Sequence, residues 1–373
     1  MEKLQKKGLF HNYKYRQPHG IMVPVFGRES MKYRKWILAI VTAVSFTVID
    51  AKADTPQREM YRMYNPNSGE HFYTSSRTER DSLISYGWNY EGTGWFSPES
   101  SEIPVYRLYN PNSGDHHYTM SEKEKNTLVD LGWNDEGIGW YSSESASIPV
   151  YRLYNSHQKT GNHHYTTSKA EYDVLNAGSW TGEGIAWYAD KEGYEAVKSE
   201  SAGSGSLPFY IRVNVAANTV NVYTHDNDGN YNIPLYAFVC STGSATMHSG
   251  TYRLSNYTRW RSLFGGVYGQ YGITISGDIL FHSVPYYSKN VNDLEYQEYN
   301  KLGTAASMGC VRLCVRDVKW LYDYTTTGTL CEMYDDADNP GPLGKPSSII
   351  IDVNSPNRGW DPTDPDPNNP WNQ

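Results

Sequence analysis

The sequence contains few cysteines and lacks a hydrophobic run long enough to cross a membrane. Only four cysteines occur among 373 residues. A chain of this length can bury a core without cross-links, so disulfides are not required for folding. The spacing fixes no pairing: Cys314 and Cys331 are candidates for a disulfide or for two buried thiols, and Cys240 is expected to be packed.

The sequence also lacks an excess of basic residues. Its formal net charge is −8, and residues 1–53 hold 10 of the 33 Lys and Arg but only 3 of the 41 Asp and Glu. The 320 residues that follow therefore carry 23 basic and 38 acidic side chains, a formal charge of −15. Binding to nucleic acid relies on basic side chains that neutralise phosphates, so nucleic acid is not an expected partner.

Residues 31–53 have the pattern of a secretory signal peptide. A basic stretch at 31–35 precedes a mostly apolar run at 36–49, and Ala51-Lys52-Ala53 offers a small-x-small cleavage site. The apolar run has 14 residues, fewer than the roughly 20 that span a bilayer. We expect a mature chain that begins near Asp54 and is secreted, extracellular or associated with the cell wall. Residues 1–30 are a leader of undetermined status and are excluded from the fold prediction.

Residues 60–190 consist of three repeats. Tyr61-Arg62-Met63-Tyr64-Asn65 recurs 45 residues later from Tyr106, and again from Tyr151. Each copy continues through a Gly-containing turn to a His-x-Tyr-Thr block, then to a serine with a glutamate three residues later, as at Ser76 and Glu79. That spacing is the capping box of a helix N-terminus. Each repeat is therefore predicted to combine short strands with one helix, ended by a glycine at Gly87, Gly132 or Gly178.

Repeats of this kind cannot bury their apolar faces alone and must pack on one another. Because propellers usually have about four to eight blades, we predict a closed pseudo-threefold module like a β-trefoil. The Trp- and Tyr-rich segments, such as Gly94-Trp95-Phe96, indicate internal packing more strongly than a sugar-binding platform. The histidine pairs, such as His116-His117, are expected in turns or in the core, because no acidic or thiol metal ligand recurs beside them.

The composition changes after Asp190. Residues 191–207 have no apolar period and are predicted to be a flexible linker. Between 208 and 353 apolar and polar residues alternate in several short segments, the last at 349–353, which predicts a mainly β domain. A helix is expected from Val315 to Tyr324. The tail, 354–373, is rich in Pro, Asp and Asn and is predicted to be disordered.

Cys310 lies in the segment ASMGCVRLCV. Zinc is disfavoured because three residues separate Cys310 from Cys314 and no second close pair exists. A disulfide stays open, but Gly309 leaves room for the close approach of a substrate, which favours a nucleophile. The helix expected just after it would favour the thiolate. His282, at the end of an apolar strand, is the best-placed base.

Two motifs, Phe281-His282-Ser283 and Ser307-Met308-Gly309-Cys310-Val311-Arg312, resemble the catalytic signature of the YkuD-type L,D-transpeptidases. The motifs Ser241-Thr242-Gly243 and Ser249-Gly250-Thr251-Tyr252 stand upstream in the family's order, and the resemblance covers 208–353. It implies a YkuD-like β-sandwich with a short helix after the cysteine. Residues 60–190 resemble Tyr- and Trp-rich repeats of exported bacterial wall proteins, which implies a wall-binding module with cell-wall glycan as a candidate ligand.

The resemblance implies an acyltransferase of peptidoglycan biosynthesis that serves cell-wall biogenesis and cell shape. Cys310 would attack the carbonyl of the third residue of a donor stem peptide, meso-diaminopimelate or lysine, and release the terminal D-alanine. An amine of an acceptor stem would then resolve the thioester into a 3-3 cross-link. No metal or cofactor is needed, and a monomer is expected.

The same resemblance implies roles around the cysteine. His282 would act as the base and Ser283 would orient it through its side chain or its carbonyl, while N–H groups at Gly309 and Cys310 would stabilise the oxyanion. Arg312 would either bind a stem carboxylate or brace the loop against an acidic neighbour. The two residues before the glycine, Ser307 and Met308, are further candidates for contact with the substrate.

The sequence departs from the family pattern in two places. Met308 replaces the usual histidine, and the 28 positions between His282 and Cys310 exceed the spacing of shorter members, so that 286–304 could form a lid. Water in place of the amine would make the enzyme an L,D-carboxypeptidase. Loss of activity would leave a wall-binding or adhesion protein, but the retained Cys310, His282 and Gly309 favour an active enzyme.

Overall fold

The computed structural model of the chain describes residues 56–372. The leader at 1–30 and the signal peptide at 31–53 lie outside the described residues. Within 56–372 the fold is mainly β, as expected, with 19 strands in five sheets and five α-helices. No helix in this range is long and apolar enough to cross a membrane.

Each repeat forms one antiparallel sheet with its first strand in the centre, and one helix. A serine caps each helix by accepting the N–H of the glutamate three residues on, at 3.1–3.2 Å. The elements of the three repeats in turn are β1 Gln57–Tyr64, β2 His71–Thr74, α1 Arg77–Ser85, β3 Asn89–Pro98; β4 Pro104–Asn110, β5 Asp115–Thr119, α2 Glu122–Asp130, β6 Asn134–Tyr141; and β7 Ile148–Tyr154, β8 His163–Thr166, α3 Lys169–Ala177, β9 Thr181–Ala189.

Large aromatic side chains close the three repeats into one module. Trp95, Trp140 and Trp187 are fully buried, with ring centroids 5.5–5.7 Å apart. A tyrosine of each repeat donates its hydroxyl to a main-chain carbonyl of another repeat, from Tyr73 to Tyr165, Tyr118 to Tyr73 and Tyr165 to Tyr118. The pseudo-threefold closure is confirmed, and so is the interpretation of these aromatic residues as core.

The glutamates of the capping boxes have a different use from the one expected. None of them accepts the main-chain N–H of its capping serine. A threonine hydroxyl two residues before the serine accepts that N–H instead. Each glutamate binds an arginine of the following repeat, and the third binds the first. These three ion pairs are Glu79–Arg107 at 3.1 Å, Glu124–Arg152 at 3.2 Å and Glu171–Arg62 at 3.4 Å.

The expectation of a flexible linker at 191–207 is wrong. Residues Lys191–Glu195 form β10, which pairs with β3 and so joins the end of the third repeat to the first. Further along, Ser199 and Ala202 donate their N–H groups to the carbonyls of Asn232 and Tyr231. Main-chain pairing needs no apolar period, which is why the composition of this segment concealed it.

The remaining strands form two sheets whose apolar faces share one core with α5. The first sheet has the order β13-β12-β11-β19-β14 and the second β15-β16-β17-β18. The expected strand at 349–353 is absent, although Ile351 is buried. The elements are β11 Phe209–Asn214, β12 Thr219–His225, β13 Tyr231–Val239, β14 Gly250–Arg253, β15 Ser255–Ser262, β16 Tyr268–Ser276, β17 Ile279–Ser283, α4 Tyr296–Tyr299, β18 Val311–Leu313, α5 Val315–Tyr324 and β19 Leu330–Tyr334.

The tail is ordered, against expectation, over its described part, 354–372. Asp361 and Asn369 are fully buried. The Asp361 carboxylate accepts the N–H of Val315 at 2.8 Å, so the tail caps α5. Successive Asp and Asn side chains accept main-chain N–H groups two residues ahead. These local turns hold the chain in place without a large apolar content.

The first repeat packs directly on the second half of the chain. Arg80 and Asp81 of α1 are 5% and 1% exposed. The Asp81 carboxylate accepts hydrogen bonds from Arg80 Nε at 2.9 Å, from Trp320 Nε1 at 2.8 Å and from the hydroxyl of Tyr236. Apolar residues of this repeat, including Ile84, belong to the same core as both sheets. Residues 56–372 are therefore one compact unit.

Candidate active site

Two paired strands bring Cys310 and His282 to the same face. Strands β17 and β18 are parallel, with His282 opposite Arg312. Cys310 stands one residue before β18 and two before Arg312, so the strand alternation, extended by one residue, places its side chain on the side of Arg312 and His282. Neighbouring strands are about 4.8 Å apart. Both Cys310 and His282 line a cavity of about 520 Å³.

The cavity is lined mainly by apolar side chains. On one side lies the connection between β15 and β16, where the side chain of Phe264 is 84% exposed. The segment 286–304 contributes no lining residue. Four of its apolar side chains are buried in the core, Tyr286, Leu294, Tyr299 and Leu302; the expectation of a lid there is wrong. The lining residues are Ala245, Arg261, Ser262, Leu263, Phe264, Val267, Asp278, Ile279, Leu280, His282, Pro285, Ser307, Met308, Gly309, Cys310 and Arg312.

The imidazole of His282 is buried and held in one orientation. Its Nδ1 lies 2.6 Å from the carbonyl oxygen of Ser283. Because a carbonyl only accepts, Nδ1 carries the proton and Nε2 is left as the acceptor. Burial lowers the pKa of His282 to about 4, so the ring is neutral at pH 7. Gly269 leaves room for this ring, because a Cβ atom at position 269 would lie 2.8 Å from Nδ1 and 3.0 Å from Cγ of His282.

Ser283 orients the histidine through its main chain only. Its hydroxyl donates to the carbonyl of Val284 and accepts the N–H of Gln270, each at 2.8 Å. Of the two routes expected for Ser283, side chain or carbonyl, the structure contains the second.

The thiol of Cys310 is half-buried and its pKa is raised by that burial, although the main-chain N–H of Leu280 acts in the opposite direction. The expectation that a helix N-terminus favours the Cys310 thiolate is wrong. The helix begins at Val315 as predicted, but β18 separates it from Cys310. Its first two N–H groups bind Asp361 and Thr363.

Gly309 lies close against two neighbouring side chains. A side chain there would lie 2.7 Å from Ile279 Cδ1 and 3.1 Å from Ala245 Cβ. Ile279 and Ala245 also line the cavity, so the glycine leaves room for these two neighbours, and its part in the approach of a substrate stays a prediction.

Three consecutive carbonyls around Cys310 are held by hydrogen bonds. The N–H of Ala245 binds Met308 O at 3.0 Å, the Thr246 hydroxyl binds Gly309 O at 2.7 Å, and the Ser307 hydroxyl binds Cys310 O at 2.6 Å. The N–H groups of Gly309 and Cys310 have no acceptor among residues 56–372. They are free to receive a hydrogen-bond acceptor.

Charged groups surround the thiol. Arg312 Nη1 binds Glu298 at 2.7 Å and Ala306 O at 3.2 Å, which is the bracing role expected for it. Its Nε is buried and has no hydrogen-bond partner in the described chain. Arg261 and Asp278 also line the cavity, and neither forms an ion pair within 56–372. Met308 lies at the rim, 63% exposed.

Several residues around the site were missed from the sequence. Thr246, Glu298 and Gly269 contact the predicted site residues, but their positions lie 13 to 63 residues away along the chain. No local signal distinguishes them. The other cysteines are free and buried, with pKa values raised by burial, and no group of metal ligands occurs within 56–372.

Comparison with family models assigns two parts of the chain. Residues 208–333 match the L,D-transpeptidase catalytic domain, YkuD. Residues 59–190 match DUF5648, a domain of unknown function.

Relatives match over part of their length. A Bacillus subtilis protein, YciB, whose name assigns it provisionally to the L,D-transpeptidases, is 49% identical over 47 residues, 13% of this chain and 23% of its own. A solved structure of a fused Zn-dependent amidase, peptidase and peptidoglycan-binding protein from Clostridium acetobutylicum is 21% identical, with a TM-score of 0.26 over 35% of this chain. An L,D-transpeptidase from Mycobacterium smegmatis is 14% identical, with a TM-score of 0.27 over 41% of this chain. The chain spans 54% and 64% of these two structures, less than two thirds of each.

Proposed function

We propose that this chain, which carries a YkuD-type L,D-transpeptidase catalytic domain at 208–333 behind a DUF5648 domain, is a secreted peptidoglycan L,D-transpeptidase. It joins stem peptides through 3-3 cross-links by way of a cysteine thioester. The observation that carries the proposal is the placement of Cys310 and His282 on one face of paired strands, at one cavity.

In the first half-reaction, Cys310 Sγ bonds to the carbonyl carbon of the third residue of a tetrapeptide stem. The thiol proton moves to His282 Nε2, because Nδ1 is already a donor to Ser283 O. The tetrahedral oxyanion accepts the free N–H groups of Gly309 and Cys310. The bond to the terminal D-alanine then breaks, and its amine takes the proton from His282. The product is a thioester.

In the second half-reaction, an amine of an acceptor stem attacks the thioester carbonyl and gives a proton to His282. The carbon–sulfur bond breaks, the proton returns to sulfur, and a 3-3 cross-link remains. A neutral imidazole suits this role, since it must accept a proton in each half-reaction.

The cations at the cavity suit an anionic substrate. Stem peptides end in carboxylates, and the unpaired Arg261 and the orphaned Nε of Arg312 offer charge-assisted hydrogen bonds. Arg312 is thus proposed to bind the substrate and brace the loop at once. Ser307 supports the turn through its hydroxyl, and Met308 forms the rim.

The repeat module is proposed to contact the cell wall. Since the central Trp95, Trp140 and Trp187 and the tyrosines that bond between the repeats are buried in its own core, contact with glycan would use other side chains on its outer surface.

The test is incubation of the mature chain with defined tetrapeptide muropeptides, followed by mass spectrometry. Dimers joined 3-3 are expected, with a transient adduct on Cys310. Cys310→Ala should abolish the adduct, and His282→Ala should slow its formation about 10²- to 10⁴-fold. Shortened monomers alone would instead indicate an L,D-carboxypeptidase. No adduct at all would favour a wall-binding protein without activity.

A further inference from the structure

The loop between β13 and β14 lies directly under the turn that holds Cys310. Main-chain bridges join Ser241 to Arg312 and Gly243 to Ser307. The contact at Gly243 is so close that a side chain there would overlap the carbonyl of Ser307. The position of the cysteine turn is therefore set by this loop.

One buried side chain of the loop, Thr246, reaches the cysteine turn. It is 3% exposed. Its hydroxyl accepts the N–H of Gly243 at 2.8 Å and donates to the carbonyl of Gly309 at 2.7 Å. An N–H can only donate and a carbonyl can only accept, so the hydroxyl proton has a single destination. The bond to Gly309 is thereby fixed in direction as well as in length.

Holding a carbonyl also directs the N–H of the same peptide plane. In a trans peptide the C=O and the following N–H point in opposite directions, and no cis peptide occurs in the described chain. With Gly309 O held by Thr246, the N–H of Cys310 points away from the loop. Ala245 does the same for the preceding peptide through Met308 O. The two free N–H groups are thus turned to one side.

We propose that Thr246 is a positioning residue, whose hydroxyl aims the N–H of Cys310 at the oxyanion that forms during acylation. The inference rests on the proposed function, because it concerns the same acylation step. Without the hydroxyl, the Gly309 carbonyl and the Gly243 N–H lose a buried partner, and the peptide is free to rotate. Loss of one oxyanion donor slows catalysis about 10²- to 10³-fold.

The test compares two reactions of the same thiol. Alkylation of Cys310 by iodoacetamide forms no oxyanion, whereas acylation by a tetrapeptide stem does. In Thr246→Val we expect acylation to slow by about 10²-fold through kcat, and alkylation to change by less than about threefold. Thr246→Ser keeps the hydroxyl, so both rates should stay within about threefold of the wild type.

A matched control is Thr242→Val, the same substitution at another buried threonine of the loop. The Thr242 hydroxyl binds Val215 O and the side chain of Asn218, away from the cysteine turn, so the ratio of acylation to alkylation should not change. The buried Cys240, Cys314 and Cys331 report on unfolding, since mass spectrometry locates each label. If Thr246→Val labels them, Thr246→Ala takes its place under the same criteria.

The proposal is overturned if alkylation and acylation slow together in Thr246→Val, since that outcome indicates a general structural role. It is also overturned if neither rate changes, or if Thr246→Ser loses as much acylation as Thr246→Val. If the wild-type chain is alkylated but never acylated, the proposed function is wrong, and this inference fails with it. A wild-type chain that is acylated leaves the acylation step of the proposed function intact whatever the variants do.

Discussion

Cys310 and His282 both lie in surroundings that disfavour their charged forms. Burial raises the pKa of the thiol and lowers that of the imidazole to about 4. At pH 7 the pair therefore rests as thiol and neutral imidazole, and the proton has to move as the substrate is attacked. The thiolate–imidazolium pair that some cysteine enzymes use at rest is not favoured here.

The first prediction concerns the pH profile of alkylation. Because the pKa of Cys310 lies above its ordinary value of 9.0, the thiolate fraction at pH 7 is small and grows about tenfold for each pH unit. The rate of alkylation by iodoacetamide should therefore climb from pH 6 through pH 9 without a plateau, and His282→Ala should have a profile of the same shape. A plateau near neutral pH that disappears in His282→Ala would contradict this prediction.

The second prediction concerns Met308. Its side chain is 63% exposed, and no hydrogen bond links it to Cys310 or His282 in the described chain. Met308→His should therefore change the acylation rate by less than about tenfold, or about 1.4 kcal/mol. Single-turnover mass spectrometry measures it. A wild-type chain that forms no thioester while Met308→His does would mean that the methionine disables the site.

At the scale of elements, the N-terminus of α5 depends on the tail. Asp361 is fully buried, and that burial raises the pKa of its carboxyl to about 6. A pKa raised on folding means that the folded state binds the proton more tightly than the unfolded state. The stability that this carboxyl contributes is therefore largest below pH 4 and falls as the pH rises through 6.

The third prediction follows from that cap. Asp361→Ala removes the acceptor of the Val315 N–H and should lower the free energy of unfolding by about 1–2 kcal/mol at pH 5. The loss should be smaller at pH 8, where the native carboxyl is charged. Urea denaturation at the two pH values measures it, with the exposed Asn368→Ala as control. An equal or larger loss at pH 8 would show that the charged form is the stabilising one.

Much of the fold was predictable where local chemistry decides it. The helix from Val315 to Tyr324 follows from its apolar spacing, and the serine caps of the repeats follow from their side chains. His282 was found because it ends an apolar strand. The linker, the tail and the segment 286–304 could not be predicted from apolar spacing, because they are held by main-chain pairing, by local Asp and Asn turns and by contacts with distant parts of the chain, such as Asp361 with Val315.

The role of the capping-box glutamates shows the same limit within a single residue. The spacing of Ser121 and Glu124 predicts the cap, and the serine makes it. The spacing does not predict that the carboxylate binds Arg152 of the next repeat, together with His117 and Thr119 of its own. A local motif determines the cap at the helix N-terminus, whereas the contacts of the glutamate carboxylate depend on the neighbouring repeat.

At the scale of the whole molecule, the first repeat differs from its two copies. Arg80 and Asp81 are replaced by Lys125 and Asn126 in the second repeat, and by Tyr172 and Asp173 in the third. Only the first repeat therefore has the buried ion pair that meets Tyr236 and Trp320. The helices of the other repeats have no buried residues.

The fourth prediction tests this docking. Asp81→Ala leaves the Arg80 charge and two hydrogen-bond donors buried without a partner, so it should cost about 3–5 kcal/mol. Asp173→Ala, at the matching exposed position of the third repeat, should cost less than about 0.5 kcal/mol. Urea denaturation followed by tryptophan fluorescence measures both. Equal losses in the two variants would contradict a specific docking role.

A further outcome concerns cooperativity. The wild-type chain should unfold in one transition, because its two halves share a core. Asp81→Ala should separate the transition of the repeats from that of the catalytic domain. A single unchanged transition in this variant would mean that the apolar contacts alone couple the two halves.

The hydrogen bond between Asp81 and Trp320 joins positions 239 residues apart. A ribosome makes the chain from its N-terminus, so α1 emerges long before the partners that cover it. Until Tyr236 and Trp320 have been synthesised, Arg80 and Asp81 stay in water, and the apolar face of the first repeat stays open to other proteins. Translation speed and chaperones would therefore affect the yield of this protein most while the ribosome synthesises the residues between α1 and Trp320.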